Sequence, residues 1–179
     1  MSLDEDVLKV YLSKEEINVI VSRVAKNINE DYKDKDPLFI CLLKGAVPFA
    51  TDLLKEISIK CKIEYLKVSS YDGTRSTGNL KIESPFPEIE GKDIIIVDDI
   101  IDTGKTLLEL KKLILEKGAK SVSLAILLDK PEGRKYDVYA DYIGTLIPNE
   151  FVVGYGLDYN EHYRNLPYIG VLKEEIYKK

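Results

Sequence analysis

The stretch IIIVDDIIDTGKTL, residues 94–107, decides how this chain of 179 residues folds and where its chemistry lies. Residues 93–97 are the strongest strand prediction, because a run of β-branched residues is typical of a strand buried on both faces. Three carboxylates follow, at Asp98, Asp99 and Asp102, and then a turn of small residues. A helix is predicted from about residue 104 to residue 117, with Gly118 well placed to end it.

Further strand and helix patterns alternate on both sides of this unit. A capping-box pattern at Ser13 and Glu16 begins a helix, in which apolar residues follow at helical spacing. Apolar runs predict strands at 38–43, 62–71 and 121–128, shorter strands at 139–143, 150–153 and 168–172, and a helix at 47–57. Because strands that alternate with helices form crossover units, we predict an α/β fold with a mostly parallel twisted sheet flanked by helices.

Composition limits the function classes. The 26 basic and 31 acidic residues give a net charge of −5 without a long basic stripe, which argues against nucleic acid as a partner. No apolar run is long enough to span a membrane, and the acidic N-terminus lacks the apolar segment of a secretory signal. Cys41 and Cys61 lie in apolar stretches and are expected to be reduced, and His162 as the single histidine excludes a multi-histidine metal site. We therefore expect one cytoplasmic domain, residues 1–179, with no membrane partner.

The segment after the strand has the chemistry of a sugar-phosphate site. A helix N-terminus offers unpaired N–H groups to a phosphate, and Thr103, Gly104, Lys105 and Thr106 add hydroxyls and little bulk. The carboxylates upstream suit sugar hydroxyls or a hard cation. Two other motifs fail, since a P-loop needs a glycine where Asp99 stands and the GxGxxG pattern from Gly154 ends on Tyr159. The alternative interpretation is a solvated turn with an aspartate cap.

The same segment resembles the 5-phosphoribosyl-1-pyrophosphate (PRPP) signature of the type I phosphoribosyltransferases. Four further segments resemble, in order, segments of the members that act on hypoxanthine and guanine. LLKG at 42–45 is similar to the pyrophosphate loop, and VSSY at 68–71 is similar to the mobile catalytic loop. LDKPEGR at 128–134 is similar to the purine-recognition turn, and FVVGYGLDYNE at 151–161 is similar to the C-terminal base-and-metal segment. The resemblance covers nearly the whole chain. It implies the fold of that family, with a small hood formed by the N- and C-terminal segments.

The activity that the resemblance implies is Mg²⁺-dependent purine salvage. The 5-phosphoribosyl group of PRPP would pass to N9 of hypoxanthine or guanine and give IMP or GMP plus pyrophosphate. Two alternatives stay open: xanthine as a main substrate, and a PRPP-sensing regulatory protein. The partners implied are PRPP, 6-oxopurine bases and further copies of the chain, as a homodimer or homotetramer.

The resemblance also implies a role for each matching acidic residue. Asp102 would be the general acid/base at N7 of the purine, and the alternative is that it only caps the following helix. Asp98 and Asp99 would contact the ribose hydroxyls, directly or through Mg²⁺. The family usually has Glu-Asp here, and Asp98 is one methylene shorter than the glutamate. Whether Asp98 contacts the ribose directly or through a water molecule therefore stays open. Adjacent strand residues point to opposite sides, so the two need not act alike. Asp158 would belong to a second Mg²⁺ site.

The remaining residues would bind pyrophosphate and the base. Lys130 would donate a hydrogen bond to the 6-oxo group, whereas the 6-amino group of adenine would leave Lys130 unpaired, so adenine should be rejected. Phe151 would stack on the purine, although taken alone it would be a core residue. In the family the peptide before Lys44 can be cis, and a loop at 72–78, which contains Arg75, would close over the reaction. The full sets are Lys44, Gly45, Ser70, Tyr71 and Arg164 for pyrophosphate, and Ile100, Lys130, Phe151, Val152, Leu157 and Asp158 for the purine.

Overall fold

The computed structural model describes residues 3–70 and 80–178. Two short 3-10 turns occur, at Leu3–Asp6 and Pro131–Gly133. The strands and helices run in the order β1 Val7–Leu12, α1 Lys14–Asp31, β2 Leu38–Leu43, α2 Val47–Glu56, β3 Lys62–Ser70, β4 Leu80–Ile82, β5 Asp93–Ile101, α3 Lys105–Glu116, β6 Ser121–Asp129, β7 Tyr142–Leu146, β8 Val152–Val153, β9 Ile169–Leu172 and α4 Glu174–Tyr177.

Six of these strands form one sheet in the order β4-β3-β2-β5-β6-β7. The pairs from β3 through β7 are parallel, and only β4 runs antiparallel to its neighbour within the described residues. The central strand β5 pairs with β2 from Leu38↔Ile94 to Cys41↔Val97, and with β6 on its other side. The prediction of a mostly parallel α/β sheet is confirmed.

Both faces of the sheet are covered, which explains the unbroken apolar run in β5. Ile95 and Val97 pack in a core cluster with residues of α1 and α2, such as Phe49. Ile94 and Ile96 point to the other face, into a cluster with α3. Because each face is dry, the strand needs apolar side chains at every position and not at alternate ones.

The predicted hood is also present. It is a second sheet in the order β1-β9-β8, in which all pairs are antiparallel, and it joins the N-terminal segment to the C-terminal one. Strand β1 was not predicted, because its sequence VLKVYL shows no regular alternation of apolar and polar residues. In the structure only Leu12 of this strand is buried. Short stretches of mixed polarity carry a weak strand signal.

Several predicted bounds need correction. Strand β5 continues beyond residue 97, because Asp98, Ile100 and Ile101 pair with Ile126, Leu128 and Asp129 of β6. The carboxylate pair therefore lies within the strand. Helix α3 begins at Lys105, β7 lies three residues further along the chain than predicted, and β8 is two residues long.

In the part of the chain that the structure describes, no helix has the length and apolar character needed to cross a membrane.

Candidate active site

A cavity of about 220 Å³ opens at the carboxyl edge of the large sheet, where the turn from β5 into α3 begins. It joins seven of the residues predicted from the sequence to apolar residues of β2 and β3. The lining consists of Leu42, Leu43, Val68, Asp98, Ile100, Ile101, Asp102, Thr103, Gly104, Lys105, Thr106 and Leu107. The cleft is thus acidic along β5, apolar toward β2, and rich in backbone N–H groups at α3.

Helix α3 begins without a side-chain cap. Its N-cap is Gly104, which has a left-handed φ of 84°, and no side chain bonds to the first-turn N–H groups as a cap. The first helical hydrogen bond runs from the N–H of Leu108 to the carbonyl of Gly104, at 3.0 Å. The N–H of Lys105 donates to Oγ1 of Thr103 at 3.4 Å, so the N–H groups of Thr106 and Leu107 are the ones left for an anion. Asp102 is not the N-cap, so the capping alternative for this residue is wrong.

Gly104 cannot be replaced without a clash. A Cβ atom there would lie 2.6 Å from Cγ1 of Val138 and 3.0 Å from Cδ of Arg134, and the positive φ disfavours any side chain. Backbone N–H groups of Lys135 and Tyr136 donate to the carbonyl of Thr103, at 3.0 and 3.1 Å. The loop after the turn at 128–134 therefore supports the turn from β5 into α3.

Arg134 ties the same two segments together. Its Nε donates to the carbonyl of Asp102 at 3.1 Å, and its other nitrogens bond to the carbonyl of Val138 and to the buried carboxylate of Asp129. Arg134 lies within the LDKPEGR motif, but no role was predicted for it. Its position in the turn gives no hint that it contacts Asp102, because that contact spans 32 residues.

Asp102, which lines the cavity, lies opposite Lys130. The side chain of Asp102 is 51% exposed, whereas that of Lys130 is 11% exposed, and Nζ of Lys130 lies 3.7 Å from Oδ2 of Asp102. The carboxylate lies over Gly133, where a Cβ atom would overlap Oδ1. The N–H of Lys130 donates to the carbonyl of Ile101 at 3.0 Å, which fixes the turn to the end of β5.

Asp98 and Asp99 are partly buried and differ in their surroundings. Asp98 lines the cavity, whereas the carboxylate of Asp99 lies against Gly45, so the two side chains serve different sides of the strand. Desolvation, and to a lesser extent repulsion from Asp99, holds the pKa of Asp98 well above its usual value. Desolvation also raises the pKa of Asp99.

A hard divalent cation fits this pair, because carboxylate oxygens are its preferred ligands and a positive charge would relieve the repulsion. No group of three or more His, Cys, Asp or Glu side chains arranged as metal ligands occurs within the described residues. That is compatible with Mg²⁺, which keeps several waters and takes one or two carboxylates from the protein.

A second group of predicted residues lies on the Asp99 side of β5. The peptide between Leu43 and Lys44 is cis, as the resemblance implies. Gly45 lies between Asp99 and Gly156: a Cβ atom on Gly45 would overlap the carboxylate of Asp99, and one on Gly156 would overlap the carbonyl oxygen of Gly45. The C-terminal segment therefore touches the backbone of the loop that follows β2.

Arg164 and Lys44 meet the acidic residues of the C-terminal segment. One terminal nitrogen of Arg164 lies 2.8 Å from Oδ1 of Asp158 and 3.1 Å from Oε1 of Glu161, and the other donates to the carbonyl of Gly156 at 2.7 Å. Nζ of Lys44 lies 2.7 Å from Oε2 of Glu161. Nε of Arg164 is buried and has no hydrogen-bond partner in the described part of the chain. No role in this site was predicted for Glu161 and Gly156, although both lie in the C-terminal motif at 151–161.

The predicted purine residues divide into two groups. Val152 and Leu157 are buried in one apolar cluster, against which Ile100 packs. Phe151 is 36% exposed, so it is not the core residue that its type alone suggested. Its ring stacks on Tyr177 of α4 at a centroid distance of 4.8 Å and meets the edge of Tyr159 at 5.7 Å.

Other predicted residues have simpler outcomes. His162 is exposed and touches only the ring of Tyr163 among the described aromatic residues, and Cys41 and Cys61 are free thiols, as expected. Ser70 ends β3, with its backbone paired to Leu80. Tyr71, Arg75 and the predicted loop at 72–78 lie outside the described residues.

Comparisons with known proteins agree with this site. The phosphoribosyl transferase domain family matches residues 9–160. The hypoxanthine-guanine phosphoribosyltransferase of Streptococcus thermophilus is 49% identical over 179 residues, which cover 99% of each chain, and that of Streptococcus agalactiae is 50% identical with the same coverage. A crystal structure of a hypoxanthine phosphoribosyltransferase from Staphylococcus aureus superposes with a TM-score of 0.94 at 43% identity, covering 99% of this chain and 97% of the other. This chain therefore belongs to the phosphoribosyltransferase family, and within it to the hypoxanthine-guanine phosphoribosyltransferases.

Proposed function

We propose that this protein transfers the 5-phosphoribosyl group of PRPP to N9 of hypoxanthine or guanine, giving IMP or GMP and pyrophosphate. One observation carries the proposal: a single cleft joins the uncapped start of α3 to Asp98 and Asp102, and the buried ammonium group of Lys130 lies 3.7 Å from the carboxylate of Asp102. A phosphate, a pentose and a 6-oxopurine each find a matching group there. The names of the relatives support the same activity.

The phosphate end of the substrate would bind at the start of α3. The free N–H groups of the first turn, together with the hydroxyls of Thr103 and Thr106, would hold the 5′-phosphate. Lys105 adds a positive charge at the same place. Asp98 and Asp99 would then contact the ribose hydroxyls from the end of β5, which fixes C1′ near the centre of the cleft. The bond that breaks is thereby aligned with the bond that forms.

The reaction centre needs charge stabilisation more than a covalent nucleophile. Substitution at the anomeric carbon of a ribose passes through an oxocarbenium-like state. Asp102 would accept the proton from N7 as N9 attacks, because its half-exposed carboxylate lines the cavity. Asp98 and Asp99 would hold one Mg²⁺ and Asp158 a second, and these cations would neutralise charge on the departing pyrophosphate.

The pyrophosphate group would leave toward the Asp99 side of the strand. Lys44, the backbone at Gly45 and Arg164 lie there, and their positive charges and N–H groups would stabilise the leaving oxygens. Ser70 and Tyr71 complete this part of the proposal on the strength of the resemblance.

The base would be recognised by Lys130 at its 6-oxo group. Ile100 and Leu157 would line one side of the purine, Phe151 would contribute an exposed aromatic face, and the backbone at Val152 would read the far edge. Since an ammonium group only donates hydrogen bonds, a 6-amino group would leave it unpaired in a partly buried site. The proposal therefore predicts that 6-oxopurines are accepted and adenine is rejected.

The proposal includes a cytoplasmic location, one catalytic domain over residues 1–179, and a homodimer or homotetramer. The two free thiols support a reducing compartment. Exposed apolar side chains at Leu8, Val10 and Val19 support self-association, which sedimentation of the purified protein would test.

Nucleotide formation tests the proposed function directly. The protein is mixed with PRPP, Mg²⁺ and each of hypoxanthine, guanine, xanthine and adenine, and the nucleotide product is separated and measured. Turnover of hypoxanthine or guanine is expected. A faster reaction with xanthine would change the assigned substrate, and no reaction with any 6-oxopurine would leave a PRPP-binding regulatory protein as the better interpretation.

Replacing Lys130 by alanine tests the origin of base preference. We expect kcat/KM for hypoxanthine and guanine to fall by at least about tenfold, because a charged hydrogen bond worth about 1.5–3 kcal/mol is lost. The reaction with adenine should improve relative to them. Initial rates with each base provide the measurement. If the order of preference stays the same, the backbone and not Lys130 reads position 6.

A further inference from the structure

Two positive side chains from distant parts of the sequence meet on one carboxylate. Nζ of Lys44 lies 2.7 Å from Oε2 of Glu161, and a terminal nitrogen of Arg164 lies 3.1 Å from Oε1. Each oxygen of the carboxylate therefore has its own cation. This is the arrangement in which two cations bind an anionic ligand, with Glu161 in the place of that ligand.

The backbone brings Glu161 to this position. Asn160 and Glu161 both have left-handed φ values, 50° and 65°, which are uncommon for residues with side chains. The N–H of Glu161 donates to Oδ2 of Asp158 at 2.8 Å, and backbone hydrogen bonds between Tyr159 and His162 close the turn. Glu161 is thus presented by a specific turn and is not a side chain on a featureless surface.

The carboxylate can also leave. The side chain of Glu161 is 64% exposed, and that of Lys44 is 58% exposed. Rotation of Glu161 into water therefore costs it little solvation, since exposed ion pairs are weak. Among the described ion pairs, Lys44 would then have no carboxylate partner, and Arg164 would keep only Asp158, at 2.8 Å. Arg164 also lies close enough to Asp99 to lower the pKa of that carboxyl.

We propose that Glu161 is an internal counter-ion for the pyrophosphate clamp, which pyrophosphate must displace before Lys44 and Arg164 can bind it. This inference rests on the proposed function, because that function assigns the two cations to pyrophosphate. Glu161 acts as a determinant of affinity: it lowers affinity for the diphosphate group and thereby favours its release. Its backbone N–H, which holds Asp158, is unaffected by whether the side chain stays or leaves.

The variant Glu161→Gln tests this proposal. Glutamine keeps the size of the side chain and one acceptor oxygen but removes the charge that competes with pyrophosphate. We expect the Kd for pyrophosphate, measured calorimetrically with Mg²⁺, to fall by about three- to tenfold, the range for loss of one or two exposed ion pairs. The inhibition constant of pyrophosphate in the forward reaction should fall by the same factor. An unchanged or raised Kd would overturn the proposal, and a raised value would show that Glu161 holds the clamp together.

Two further variants serve as controls. Glu174→Gln removes a carboxylate from another exposed ion pair, with Lys178 at 2.8 Å, and should leave pyrophosphate binding unchanged. In the Lys44→Gln background, Glu161→Gln should have a smaller effect than in the wild type, because one of the two competing contacts is already absent. Full additivity of the two substitutions would contradict the proposal. Thermal unfolding of each variant establishes that it is folded.

The binding measurement separates this inference from the proposed function. If the wild type forms no nucleotide but binds pyrophosphate, the function fails while the Glu161→Gln comparison still decides the inference. If nucleotide forms and Glu161→Gln leaves the Kd unchanged, only the inference fails. If the wild type does not bind pyrophosphate at all, the clamp itself is absent and the inference fails with it.

Discussion

Helices α1 and α3 begin in opposite ways. At α1, Oγ of Ser13 accepts from the N–H of Glu16 at 3.2 Å, and the carboxylate of Glu16 accepts from the N–H of Ser13 at 2.8 Å. At α3, the N-cap is Gly104 in a left-handed conformation, with no side-chain cap. The chain satisfies donors at the start of α1 with a reciprocal pair of short side-chain bonds, whereas at α3 only the N–H of Lys105 meets a side chain, Oγ1 of Thr103 at 3.4 Å, and the next N–H groups are left for a ligand. A helix start can therefore serve stability or binding, and the cap residue decides which.

Helix α2 extends the comparison. Its N-cap, Ala46, has no side chain able to accept a hydrogen bond, and the helix follows directly after Lys44 and Gly45. Both helices that start at the proposed site therefore lack side-chain caps, whereas α1, which starts outside it, has two reciprocal bonds. Substitutions at the start of α1 should change stability alone, and those at the start of α3 should change ligand binding.

Asp102→Asn should give the largest effect and leave stability nearly unchanged. We expect kcat to fall by about 100-fold or more, because general acid–base catalysis contributes that much. The free energy of unfolding should change by less than about 0.5 kcal/mol, since the side chain is half exposed and caps no helix. Steady-state rates and chemical denaturation measure the two quantities. A normal kcat with a loss of stability would return Asp102 to a structural role.

Gly104→Ala should affect both binding and stability. The left-handed conformation costs a residue with a side chain about 1–2 kcal/mol, and the new Cβ atom would also press on Val138 at 2.6 Å. We expect a loss of at least about 2 kcal/mol in unfolding free energy and roughly a tenfold rise in KM for PRPP, as the N–H groups shift.

Gly91→Ala provides the matched control for that change. Gly91 also has a positive φ, 70°, but nothing lies within 4 Å of a Cβ atom there. This variant should lose about 1 kcal/mol from backbone strain and keep its KM for PRPP. If both glycine variants raise KM alike, general destabilisation and not the start of α3 explains the result.

Ser13→Ala should cost stability without loss of function. Removal of a serine cap typically lowers the unfolding free energy by about 1 kcal/mol. Because α1 starts outside the proposed site, kcat and both KM values should equal those of the wild type. Denaturant unfolding and initial rates test the two statements together. A change in KM for PRPP would show that α1 contributes to the site and would weaken the contrast with α3.

Glu16 should give the smallest effect, visible as a dependence on pH. Hydrogen bonds from the backbone and the side chain of Ser13 lower the pKa of Glu16 below its ordinary 4.5. A lowered pKa stabilises the folded state above the unfolded value, and this stabilisation disappears as the pH falls through the folded pKa. The difference in Tm between wild type and Glu16→Ala should therefore shrink between pH 6 and about pH 3. A constant difference would mean that the carboxylate charge does not contribute to the cap.

The site at α3 was predictable because its residues are neighbours in sequence. Asp98, Asp102 and Gly104 lie within seven positions, so a strand pattern followed by a helix pattern was sufficient to place them at one sheet edge. The resemblance added Lys130, which approaches Asp102 from the next strand. The apolar runs of β5 and β6 predicted two central strands of the sheet by the same local argument. Such runs occur because both faces of these strands are covered.

Residues that act through distant contacts were not predictable. Glu161 and Lys44 are 117 positions apart, and Arg134 reaches Asp102 over 32. No periodicity or local motif encodes which of many charged side chains will meet. Strand β1 was missed for a related reason, since its partner β9 lies at the other end of the chain. Phe151 differs again, because its type suggested burial while its ring lies at the surface against Tyr177.

The close approach of Gly45 and Gly156 restricts how the base specificity of this protein can be redesigned. A methyl group at position 156 would overlap the carbonyl oxygen of Gly45, so any library that varies residues 151–158 has to keep that glycine. A graft of the C-terminal segment from a relative would succeed only together with the loop at 44–46. Those two pieces of chain form one exchangeable unit, although 111 positions separate the two glycines.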